Sequence, residues 1–60
     1  MNPTIADIAE AHTITDRGTT YADNLDCLLL AARENEIPAD ANHELTDEQA
    51  EALEEFLAAI

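Results

Sequence analysis

Sixty residues carry fourteen aspartates and glutamates against two arginines and no lysine, a formal net charge of −12. A chain this short builds one small core at most, near the lower limit for folding without disulfides, metals or partners. So acidic a surface repels nucleic acid and anionic membrane and is drawn to basic protein surfaces, which excludes direct nucleic-acid and membrane binding as expectations.

The expected fold is all-α, a single three-helix domain over residues 1–60 with a short first helix, a long central one and an acidic C-terminal one. Twelve alanines supply helix propensity, and aromatic and β-branched residues are too few for a sheet. Asn2-Pro3 reads as a helix start, Asn capping and Pro in the first helical position. From Thr4 to about His12, Ile5, Ile8, Ala9 and His12 share one face, with Asp7 and Glu10 opposite. Thr13–Thr19 (TITDRGT) reads as a turn around the only glycine, Gly18, with Ile14 as its anchor to the core.

The central helix spans the stretch Thr20–Ile37, capped by Thr19 or Thr20, with Asp23 in its first turn where the helix dipole favours negative charge. Tyr21, Leu25, Leu28, Leu29 and Ala32 form its expected core face, and Asp23, Asp26, Arg33 and Glu34 point away. Cys27, Leu30 and Ala31 make a second apolar side. If the outer helices flank the central one, this strip is internal. If both pack on one face, a symmetric homodimer through Cys27, Leu30 and Ala31 is the natural way to bury it.

Pro38 disfavours helical geometry in the residue before it, so the central helix should stop near Ile37 and a polar loop run through Glu44. Leu45-Thr46-Asp47-Glu48-Gln49 is the best-defined local signal: Thr46 caps, Gln49 completes a capping box, and acids fill the first turn. The last helix runs from Asp47 towards Ile60 on an apolar face of Ala50, Leu53, Phe56, Leu57 and Ile60.

Chemistry-bearing motifs are sparse. The IADIAEAHTIT segment and the helix after it loosely follow a helix-turn-helix pattern through Ala9, Ile14 and Thr15. Thr13, however, stands where that motif has glycine, Gly18 falls at the start of the recognition helix, and only Arg17 could meet a phosphate. His12, Asp16, Cys27 and His43 lack any metal-site spacing, so no metal or cofactor is expected. Cys27 has no histidine beside it, and pairs such as Glu54/Glu55 read as solvated surface, so the chain is expected not to be an enzyme. One cysteine fits a reducing compartment. The N-terminus lacks a signal peptide's basic start, and no apolar run reaches the roughly 18 residues of a membrane span, so the expected location is the cytoplasm.

What remains is the acidic stripe. Asp47, Glu48, Glu51, Glu54 and Glu55 gather on one side of the last helix with no basic residue among them. In size, charge and helicity the chain resembles phage-encoded acidic inhibitors of the DNA-mimic kind, including several anti-CRISPR proteins. The resemblance implies a basic, nucleic-acid-binding protein as partner and stoichiometric inhibition. The expected binding residues are those five, with Asp23, Asp26 and Glu34 as a secondary patch. The alternative is a salt-adapted, halophile-type structural or oligomerisation module whose acidity is solvation and whose interface is apolar.

Overall fold

Thr4, not Asn2, starts the first helix. In the computed structural model, which describes residues 2–59, the Thr4 hydroxyl accepts from the Asp7 amide at 3.2 Å. The Asp7 carboxylate in turn accepts from the Thr4 amide at 3.0 Å. This reciprocal pair is a capping box with aspartate in the place usually held by glutamate or glutamine. Pro3 lies outside the helix, where its carbonyl accepts from the Leu45 amide at 2.8 Å. The Ala41 carbonyl accepts from the Ala6 amide at 3.0 Å, satisfying one of the donors that a helix start leaves unpaired. The loop before the last helix is thereby laid across the start of the first.

Three helices follow in order: α1 (Ile5–Thr15), α2 (Tyr21–Glu34) and α3 (Asp47–Ala59). Each packs against the other two, with the most extensive packing between α1 and α2. The only strand-like pairing among the described residues is an isolated antiparallel bridge, Thr4 to Glu44. The architecture is the small all-α three-helix fold expected from the sequence.

α1 runs three residues past the expected end at His12. Thr13 and Thr15 remain helical by donating their hydroxyls back to the carbonyls of Ala9 and Ala11, at 2.8 and 3.0 Å. The extension corrects the role of Ile14. It is 71% exposed, because a continuing helix turns it to the side opposite the buried row Ile5, Ile8 and Ala9. The turn that follows is held by Asp16, whose carboxylate accepts from the Gly18 amide at 3.0 Å.

The buried face of α2 is also not the expected one. Asn24, Leu28, Ala31 and Ala32 are buried, Leu25 and Leu29 are half-buried, and Tyr21 is 42% exposed. The helix is thus turned by about 60° from the orientation its leucines suggest. Two contributions account for this. Small side chains at Ala9, Ala31 and Ala32 let helices approach closely. The Asn24 side-chain Nδ2 donates to Thr13 Oγ1 on α1 and to Thr19 Oγ1 in the turn, both at 2.9 Å. A buried amide left without partners would cost about 1–3 kcal/mol, so these two bonds help select the rotation of α2.

α2 ends at Glu34, three residues before the expected stop, closed by a left-handed cap ahead of Pro38. Glu36 takes a left-handed conformation, φ 59°. The Ile37 amide donates to Ala32 O at 2.8 Å and the Glu36 amide to Arg33 O at 3.3 Å, the bond pattern of a Schellman cap. Ile37 is folded back into the core at 7% exposure.

α3 begins as expected. Thr46 Oγ1 accepts from the Gln49 amide at 3.2 Å, and the Gln49 side chain accepts from the Thr46 amide at 3.0 Å. Leu45 before the cap and Ala50 after it are both buried, as in a hydrophobic staple. Leu53 and Leu57 complete the buried row and Phe56 packs beside it half-buried. Ile60 lies outside the described residues.

Candidate protein-binding face

All five carboxylates of the predicted stripe are exposed on α3. At 3.6 residues per turn, Asp47, Glu48, Glu51, Glu54 and Glu55 fall within an arc of about 120°. Ala50, Leu53 and Leu57 are buried on the other side of the same helix. Neighbours three and four residues apart stand roughly 5–6 Å from one another, and the row extends about 12 Å along the axis. The capping box fixes one end of this row and the buried leucines fix its orientation. The sequence makes it a preformed surface rather than a flexible acidic tail.

Nothing among the described residues neutralises it. Among the described residues the one ion-pair geometry is between His12 on α1 and Asp16 just past its end, 3.8 Å apart, and neither arginine pairs with a carboxylate. Asp47 and Glu48 lie in the first turn, where the helix dipole favours them, but the last turn of α3 carries no basic residue. Glu51 is the hub of the repulsion: Asp47 and Glu55 lie four residues away, Glu48 and Glu54 three. Each such like-charge pair disfavours the helix by roughly 0.2–0.5 kcal/mol.

The secondary patch is less uniform. Asp23, Asp26 and Glu34 are all exposed on α2. Asp23 belongs to the helix start, its amide donating to Thr20 Oγ1 at 3.2 Å. Asp26 shares a shallow surface hollow with Leu29, Leu30 and Arg33, a surface of mixed sign. The predicted dimer strip is divided by the rotation of α2. Leu30 is 59% exposed and Cys27 half-buried, whereas Ala31, at 1%, is part of the core and unavailable to a partner. Ala31 is therefore withdrawn from that strip.

Among the described residues no three of His, Cys, Asp and Glu come together as metal ligands. A cleft of about 170 Å³ between α1 and α3 is lined by Ile8, Ala11, His12, Thr15, Glu54 and Leu57. It is smaller than the roughly 300 Å³ at which small-molecule pockets begin. Hydrophobic periodicity does not reveal the buried Asn24 bridge. Its signal was an asparagine in register with Leu28, Ala31 and Ala32 in a helix otherwise apolar on that side.

No helix among the described residues is long and apolar enough to cross a membrane. Comparison with protein-family models, curated proteins and solved structures finds no match for this chain. Its class is therefore defined by fold and surface alone: a small acidic all-α protein.

Proposed function

We propose that this chain is a non-enzymatic binding protein whose α3 carboxylates occupy a basic surface on another protein, one that otherwise holds nucleic-acid phosphates. The observation that carries the reading is the row Asp47, Glu48, Glu51, Glu54 and Glu55, exposed and unneutralised on a helix fixed by its cap and core. A row of like charges costs helix stability, and a basic groove converts that cost into attraction. Rigid display matters because a backbone already folded as a helix needs no ordering on binding, which leaves only the side-chain rotamers to be fixed. The partner is a basic protein, and inhibition is by occupancy.

The test is displacement of labelled duplex DNA from basic DNA-binding proteins, with the wild-type chain and a Glu51→Gln/Glu54→Gln/Glu55→Gln variant as competitors. The wild type competes, its effect falls steeply as salt rises through physiological strength, and the triple variant competes poorly while retaining full helicity. Equal competition by the two would remove α3 as the binding face.

A second reading, the salt-adapted module with an apolar interface, draws support from the exposed Leu30. It requires a chain that is largely unfolded in dilute buffer. Full helicity by circular dichroism at low ionic strength counts against it.

A further inference from the structure

The outer surface of α2 has an internal symmetry that the acidic reading does not use. Asp26, Leu29, Leu30 and Arg33 together line one surface hollow. Their order along the helix is acid, apolar, apolar, base. Positions 26 and 33 are centred on the same point as positions 29 and 30, midway between the two leucines. A two-fold axis through that point, perpendicular to an antiparallel helix pair, sets each Asp26 against a partner Arg33 and each Leu29 against a partner Leu30. A symmetric contact must be self-complementary in this way.

We propose that two copies of this chain pair antiparallel through the outer face of α2, with Leu29 and Leu30 at the centre and two reciprocal Asp26–Arg33 ion pairs beside them. A second copy fits better than another occupant for two reasons. Leu30 is the most exposed leucine, and the hollow it lines carries one charge of each sign in a chain with only two arginines, Glu34 lying outside that lining. Among the described residues Arg33 makes no ion pair, so its guanidinium can meet a partner carboxylate. The contact differs from one through Cys27, Leu30 and Ala31, since Ala31 is core and Cys27 lies on the flank. Its residues all lie on α2 and none belongs to the α3 row, so it stands or falls independently of the proposed function.

The register also sets the salt dependence. Each copy brings a net charge of −12 to the contact. Screening relieves that exposed repulsion, while the pairs beside the leucines are partly desolvated and screened less. Self-association strengthens as salt rises, opposite to the binding of a basic partner.

Sedimentation equilibrium of the full chain, from about 10 µM to 1 mM in roughly 0.5 M salt, tests the pairing. The wild type forms a dimer. Asp26→Arg and Arg33→Asp, both on exposed positions that keep the fold, each weaken it by about tenfold or more, since two attractions become two repulsions. An equimolar mixture of the two variants forms a heterodimer of near wild-type strength. The arginine introduced at position 26 of one copy then faces the aspartate introduced at position 33 of the other, and the unaltered Asp26 and Arg33 form the second pair. Recovery on mixing cannot arise from misfolded chains. A wild type that stays monomeric throughout, or reversals that leave association unchanged, or a mixture no stronger than its components, overturns the proposal.

Discussion

Glu51 offers the sharpest separation of stability from function. It is exposed on α3 and lies three or four residues from Glu48, Glu54, Asp47 and Glu55. Replacing it by glutamine removes its like-charge pairs with all four, at roughly 0.2–0.5 kcal/mol each, for a gain of about 0.8–2 kcal/mol at low salt. Glutamine and glutamate have nearly equal helix propensity, and the side chain is exposed, so no other contribution of that size competes. For a domain of this length about 1 kcal/mol raises the melting temperature by roughly 4–8 °C. The assay is thermal unfolding followed by circular dichroism in dilute buffer and again at roughly 0.5 M salt, where the Debye length of about 4 Å is shorter than the spacing of the pairs. The gain should be largest in dilute buffer and shrink with screening. Displacement of DNA from a basic protein by the same variant should weaken. A melting temperature unchanged in dilute buffer would refute the claim that these carboxylates repel one another across one helix face.

Three further outcomes follow from the packing and caps. Asn24→Ala removes two buried hydrogen bonds and should destabilise by about 1–3 kcal/mol, read by urea unfolding. Asn24→Leu should not recover the loss, because both threonine hydroxyls still lack their donor. Glu36→Gly relieves a left-handed residue at the α2 cap and should stabilise by about 0.5–1 kcal/mol, the glycine's extra unfolded-state entropy included; any loss in the same assay would argue against that cap geometry. Leu53→Ala empties a fully buried site and should cost about 2–5 kcal/mol, against a total of about 3–9 kcal/mol expected for sixty residues. A cooperative unfolding transition at unchanged temperature would contradict that burial. The wild-type melting temperature should itself rise with salt, since screening relieves the net charge.

The all-α fold was legible because its strongest signals are local. Thr46 with Gln49, and Thr20 ahead of Asp23, mark helix starts through side chains that reach only three residues. The α3 face was legible for the same reason, since its acids and its buried row follow one period along one helix. What the sequence hid was non-local or unusual in residue type. The Thr4–Asp7 box uses aspartate where glutamate is the rule, and a more familiar Asn-Pro start stood just before it. Glu36 gives no hint of a left-handed cap, which glycine normally supplies. The rotation of α2 depends on Asn24 meeting hydroxyls on another helix and in a turn, contacts that no periodicity along α2 can reveal. The leucine pattern points to Leu25, Leu28 and Leu29, whereas Asn24 and Ala31 join Leu28 and Ala32 in the buried face and Leu25 and Leu29 lie half-buried beside it.

The loop laid across the start of α1 ties together parts of the chain that are far apart in sequence. Pro3 holds the Leu45 amide and Ala41 holds the Ala6 amide, so the N-terminal segment and the residues leading into α3 share one small clasp. Breaking either half exposes the other. The amides of Ala6 and Leu45 should therefore exchange with deuterium in a common opening event rather than one fraying before the other. In a domain with so little core, that coupling makes the first turn of α1 a participant in global cooperativity instead of a loose end.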